Sequence, residues 1–185
     1  RRGDLAAVVR RARAGAVSWG LVARVREQWK GPLLVKGILH PADAKRAIAL
    51  GVDGIIVSNH GGRQFDAAPA PIDVLPAIRA VVGNRARVLV DSGVMYGVDI
   101  LKALACGADA VLVGRAFMLG LAALGPLGGH HVVRTLVEEF SIALAQSGNL
   151  TADAARSATI RHPNAWSAAE FAARGPASPD TGHAP

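Results

Sequence analysis

With 185 residues, 51% of them hydrophobic and 19% charged, the chain has the length and balance of one globular domain with a sizeable core, which excludes a disordered polymer. A net charge of +7 invites an acidic partner, but scarce aromatics, scattered basic residues and the absence of zinc-finger or RNP patterns exclude nucleic-acid binding. The single Cys106 excludes an intramolecular disulfide and a cysteine-rich zinc site.

The chain opens on Arg1-Arg2 rather than on Met and shows no signal-peptide or transit-like stretch, as expected of part of a longer polypeptide. Arg10, Arg11 and Arg13 join Arg1 and Arg2 in one basic cluster, read as a solvated helix face, with a weak membrane-surface or partner contact as the alternative. Leu33-Leu34-Val35 is the first apolar run of strand character. Pro41 then opens a helix with Asp43 in its first turn and Ala44, Ala47 and Ile48 on one face. After Gly51 comes the buried strand Gly54-Ile55-Ile56-Val57. Ile72, Leu75, Ile78 and Val82 form a helical stripe ending at Gly83, Val88-Leu89-Val90 a third strand, and Ile100, Leu101 and Leu104 a stripe ending at Gly107. Cys106, at that helix end, reads as a small packed residue rather than a nucleophile.

Ala110 to Val113 form the fourth strand, and Gly114-Arg115 leads into Phe117-Met118-Leu119. His131 to Gln146 reads as a longer helix with Val133, Leu136, Val137 and Phe140 inward, ended by Gly148-Asn149. Thr151 caps a short helix holding Ala154-Ala155. His130 and His131 have no Cys, Asp or Glu at metal-ligand spacing, so they read as surface residues and no metal is expected. No segment reads as transmembrane, because the longest uncharged stretch, Ala116 to Val133, is broken by Gly125-Pro126 and Gly128-Gly129. Residues 1–173 are expected to form one unit and residues 174–185, rich in Gly, Pro and Ser, a flexible tail.

An internal repeat organises these elements. Ala47 to Val57 and Ala103 to Val113 match in character position by position, 56 residues apart, each reading as helix end, Gly cap, turn and strand. Strands apolar throughout, alternating with amphipathic helices, imply an α/β fold with a parallel sheet. Four such units are half of an eight-stranded TIM (β/α)8 barrel.

In a parallel barrel the active site is assembled at and just after the C-terminal strand ends. Those positions carry Lys36, then Ser58, His60 and Arg63, then Asp91, Ser92 and Gly93, then Gly114 and Arg115. A lysine ending the buried run Leu34-Val35 would be expensive without an anionic partner. His60 is suited to abstract a hydroxyl proton, and Arg63 to hold a carboxylate beside that hydroxyl, a pair that fits a 2-hydroxy acid. Gly114-Arg115 at a helix start offers backbone N–H groups, a positive dipole end and a guanidinium, which favour a cofactor phosphate.

These residues resemble a known family. Ser58-Asn59-His60-Gly61-Gly62-Arg63-Gln64 is similar to the active-site signature of the FMN-dependent α-hydroxy-acid dehydrogenases and oxidases, which include glycolate oxidase, flavin-type lactate dehydrogenase and mandelate dehydrogenase. Trp29 to Gly37, Val90-Asp91-Ser92-Gly93 and Val113-Gly114-Arg115-Ala116 resemble further blocks of that family in the same order, so the likeness runs from about Ser18 to Gly148. It implies the last four βα units of the barrel plus C-terminal helices, with residues 1–18 as the helical end of a variable loop. It also implies that an N-terminal half, with its tyrosines and an aspartate that orients the histidine, lies outside these residues.

The resemblance implies FMN as cofactor. Lys36 would sit near the flavin N1 and C2 carbonyl, Ser58 would contact the ring, Asp91, Ser92 and Gly93 would hold the ribityl chain and approach the phosphate, and Gly114 and Arg115 would complete the phosphate site. His60 would be the base and Arg63 the carboxylate ligand in oxidation of a lactate-, glycolate- or mandelate-type acid to the 2-oxo acid. Where the family usually supplies an arginine for the phosphate, this chain has Met95-Tyr96. The implied electron acceptor is oxygen, a quinone or a cytochrome, the implied location cytoplasmic or peripheral at the inner face of the membrane, and the complete protein a homo-oligomer. Two alternatives stand beside this. An isomerase built on another FMN-using barrel is disfavoured by the signature with Arg63, and a catalytically silent half-barrel would act only through association or membrane contact.

Overall fold

The computed structural model describes residues 17–158; the basic cluster at Arg1, Arg2, Arg10, Arg11 and Arg13, nearly all of the expected loop segment 1–18, and the expected tail 174–185 lie outside them. In chain order the elements are α1 (Trp19–Gln28), β1 (Leu34–Ile38), α2 (Pro41–Ala49), β2 (Gly54–Val57), a 3-10 turn (His60–Gly62), α3 (Pro71–Val82), β3 (Arg87–Val90), α4 (Gly97–Ala105), β4 (Ala110–Val111), α5 (Arg115–Leu124), a second 3-10 turn (Gly125–Leu127), α6 (Gly128–Gln146) and α7 (Ala152–Arg156). The strands form one all-parallel sheet in the order β1-β2-β3-β4, with each helical connection returning the chain to the next position. This is the four-unit barrel segment expected, and the sheet is open: β1 and β4 are its edges.

Pleating explains why the strands are apolar on both faces. Ile55, Val57, Val88 and Val90 point to one side and bury almost completely against Ala44, Ala47, Val74, Leu75, Ile78, Val82 and Ala103 from α2, α3 and α4. Each such aliphatic side chain contributes on the order of 2 kcal/mol by leaving water. Lys36, Ile56, Leu89 and Ala110 are paired in one row across the other face and keep part of their surface exposed. In a closed barrel that row is interior.

The 56-residue repeat extends to hydrogen bonding. Asp53 and Asp109, each just before a strand, both use Oδ2 to accept the backbone N–H of the preceding strand segment, Leu33 at 2.8 Å and Val88 at 2.7 Å. Each carboxylate also pairs with an arginine of an earlier helix, Arg26 with Asp53 at 3.0 Å and Arg79 with Asp109 at 2.6 Å. Gly51 and Gly107, at φ +79° and +103°, close the helices that lead into both copies, a backbone region where a Cβ is strained.

Three details differ from the sequence reading. Lys36 lies inside β1 rather than at its end, because the register slips between Lys36 and Ile38 at Gly37, whose φ is +96°. Helix α6 starts at Gly128 instead of His131 and packs on α4 and α5 through Val132, Leu136, Phe140 and Ala143, so Val133 and Val137, expected inward, are exposed at 49% and 57%. Taken end to end, Arg115–Gln146 is long and apolar enough to cross a membrane by length and composition. It is nevertheless two helices: the chain turns at Gly125–Leu127, and α6 packs back on α5 where Gly128 meets the backbone of Gly120.

Candidate active site

The turn after β2 is built by its own side chains. Asn59 Oδ1 accepts the amides of Gly61 at 3.0 Å and Gly62 at 3.3 Å, and its Nδ2 donates to the Pro69 carbonyl at 3.3 Å. His60, Gly61 and Gly62 are consecutively left-handed, at φ +58°, +69° and +74°. Two glycines adopt this at little cost, whereas His60 is held in a region that L residues avoid by roughly 1–2 kcal/mol. Strain of this kind concentrates at sites where a side chain must be aimed.

Beside the turn lies a linked set from three strands. Lys36 Nζ donates to Ser58 Oγ at 2.7 Å and pairs with Asp91 Oδ2. Ser92 Oγ donates to Asp91 Oδ1 at 2.8 Å and accepts the Gly61 amide at 2.9 Å, while Ser58 Oγ accepts the His60 amide at 3.1 Å. Burial alone would raise the Asp91 carboxyl, but hydrogen bonds from Lys36, Ser58 and Ser92 and the lysine charge outweigh it and hold the group below the ordinary carboxylate value. The anionic partner demanded by Lys36 is therefore Asp91, a residue of the same cluster.

Lys36, His60, Gly61, Arg63, Asp91, Ser92, Gly93, Val94, Leu112, Val113, Gly114, Arg115 and Met118 line one cleft of about 270 Å³. Four successive strands and the loops that follow them thus meet in one place, with all but one of the residues singled out from the sequence. The exception is Ser58, which is 3% exposed and sits beneath Lys36 and the His60 amide instead of lining the cleft. Arg115 opens α5 with Gly114 as its N-cap, so the positive end of a helix faces the cleft. A Cβ built on Gly93 or Gly114 would meet nothing within 4 Å, leaving that backbone open to a ligand. Met95 does not line the cleft; its amide and that of Tyr96 both donate to Asp99 Oδ2 at 3.0 Å, which fixes the start of α4.

Sequence reasoning did not assign Asn59 or the internal use of the Ser92 hydroxyl. The first was signalled by an Asn with two glycines two and three residues on, a turn-forming pattern in which the Asn side chain can cap the following amides. The second follows only from the close approach of the β2 and β3 loops.

The fold and cleft define a parallel α/β barrel segment whose successive strands gather a cationic, glycine-lined cleft suited to an anionic group, beside a histidine and an arginine. Residues 1–162 match the family described as FMN-dependent dehydrogenase, and the chain belongs to that family. It is 45% identical over 144 residues to an L-lactate oxidase of Lysinibacillus sphaericus, covering 78% of this chain and 37% of the relative. It is 44% identical over 133 residues to an L-lactate dehydrogenase of Pectobacterium atrosepticum, covering 72% of this chain and 34% of the relative. A solved mandelate oxidase variant with a monooxide FMN adduct superposes with a TM-score of 0.73 at 46% identity, over 76% of this chain and 45% of that one. The chain therefore spans less than half the length of each.

Proposed function

We propose that this chain is the catalytic half of an FMN-dependent oxidoreductase that converts a small L-2-hydroxy acid to its 2-oxo acid. One observation carries the reading: Lys36, His60, Arg63, Asp91, Gly93, Gly114 and Arg115 reach a single cleft from four successive strands. The donor set fits FMN. Arg115, the start of α5 and the open backbone of Gly93 and Gly114 suit a phosphate, Asp91 suits a polyol chain, and Lys36 supplies positive charge for an electron-rich ring. With Met95 outside the cleft, Arg115 and backbone amides carry the phosphate charge.

Bound FMN supplies the two-electron acceptor for the substrate α-carbon. The protein residues do the rest. Arg63, exposed at the cleft rim and without an ion pair among the described residues, binds the substrate carboxylate and orients the adjacent hydroxyl. His60 takes the hydroxyl proton as the α-hydrogen leaves with its electron pair, so the products are the 2-oxo acid, protonated His60 and a two-electron-reduced cofactor. Names of relatives that are lactate oxidase, lactate dehydrogenase and mandelate oxidase support lactate- or mandelate-type acids as the substrate class.

The reading is tested by expressing the chain alone and together with the part of the Lysinibacillus sphaericus L-lactate oxidase that it does not match. Bound flavin is measured by absorbance, then lactate, glycolate or mandelate is added without oxygen. Yellow protein bleached by one of these acids is expected from the completed assembly. Absence of bound flavin in both preparations would contradict the proposal and favour a silent half-barrel.

A further inference from the structure

Ser92 stands out because its backbone and its side chain make opposite demands. Its φ of +75° is a conformation in which glycine would be cheaper, and two glycines that line the same cleft, Gly61 and Gly93, adopt it. The serine keeps instead a hydroxyl with two defined bonds. Its proton goes to Asp91 Oδ1 at 2.8 Å, which turns the oxygen lone pairs toward the Gly61 amide at 2.9 Å. Asp91 is in turn fixed by Lys36, so a continuous chain runs from the cation in β1 through the β3 loop to the amide that follows His60. The His60 amide, one residue earlier, donates to Ser58 Oγ at 3.1 Å and so reaches the same cluster only through a residue of its own loop. Among the described residues, the Gly61 amide to Ser92 Oγ is the one direct hydrogen bond between the left-handed His60 turn and the loop after β3.

We propose that Ser92 is a positioning residue: its hydroxyl, oriented by Asp91, anchors the Gly61 amide and thereby aims the His60 imidazole at the substrate hydroxyl. The aiming role rests on the reading of His60 as base, whereas the anchoring itself does not. A lost or loosened anchor leaves the imidazole present but misplaced, so it slows proton removal more than it weakens binding.

Two variants separate the hydroxyl from the backbone. Ser92→Ala removes the hydroxyl and keeps a Cβ in the left-handed region; Ser92→Gly removes the hydroxyl and relaxes the backbone. In the 185-residue chain without cofactor, hydrogen exchange resolved at the Gly61 amide should be about fivefold faster in both variants than in the parent. In the completed assembly, measured at saturating FMN, kcat for flavin reduction should fall about tenfold in both, with KM for the hydroxy acid within about twofold of the parent. Parent-like exchange in either variant overturns the anchor. So does a Ser92→Gly protein that recovers parent kcat, since backbone fit would then explain the site. If the parent itself is not reduced by any hydroxy acid, the proposed function fails while the exchange result still decides the anchor.

Discussion

At Lys36 a charged side chain sits in a strand whose neighbours are apolar, and the cluster around it explains how. Ser58 Oγ accepts a hydrogen bond from the Lys36 ammonium, Asp91 balances the charge, and the register with β2 shifts at the neighbouring Gly37. Replacing Lys36 by Met should raise the Asp91 pKa, because burial, which already pushes upward, would lose its main opponent. A carboxyl-detected NMR titration reads this directly: an Asp91 midpoint that stays below 3.8 in the variant would show that Ser58 and Ser92 suffice without the lysine. Much of the site is legible in sequence because residues just after buried strands are polar at four successive places. Lys36 within its strand is not, since a bulge at one glycine leaves no pattern in composition, and neither is the Ser92 to Gly61 bond, which joins residues 31 apart in the chain.

At the scale of elements, the repeat of helix cap, Gly-x-Asp and strand is visible as spacing, but the use of its aspartates is not. Asp109 accepts the Val88 amide and meets Arg79, Arg87 and Arg156, so it holds β3, β4, α3 and α7 together at the end of the sheet opposite the cleft. Burial would raise its pKa, yet the Val88 amide and the arginines outweigh burial and lower it. A depressed folded pKa means that this stabilisation is fully present above the ordinary value of 3.8 and is lost as pH falls through the lower folded value. Asp109→Asn should therefore cost about 2 kcal/mol in denaturant unfolding at neutral pH and much less in strong acid. An equal loss at both pH extremes would mean that shape rather than charge matters there. Helix α6 shows where periodicity misleads: apolar residues occupy more than one of its faces, so the stripe alone does not say that Leu136 and Ala143 are buried while Val133 and Val137 are not.

For the whole molecule the open sheet decides behaviour. Among the described residues, edge strands β1 and β4 present unpaired backbone, and Leu121, Leu124, Leu127, Val133, Val137 and Ile142 leave large apolar surface exposed. Expressed alone, the 185-residue chain should self-associate in sedimentation velocity at micromolar concentration, and co-expression with the unmatched part of the L-lactate oxidase relative should replace those species by a defined complex. A concentration-independent monomer would show that these faces need no cover. The central claim, that the strand-end cleft performs hydroxy-acid oxidation with His60 as base, is tested most directly by anaerobic stopped-flow reduction of the completed, FMN-loaded assembly carrying either the parent residue or His60→Gln. The variant should retain FMN and reduce it slower by on the order of 10²-fold or more; reduction at the parent rate would contradict the account.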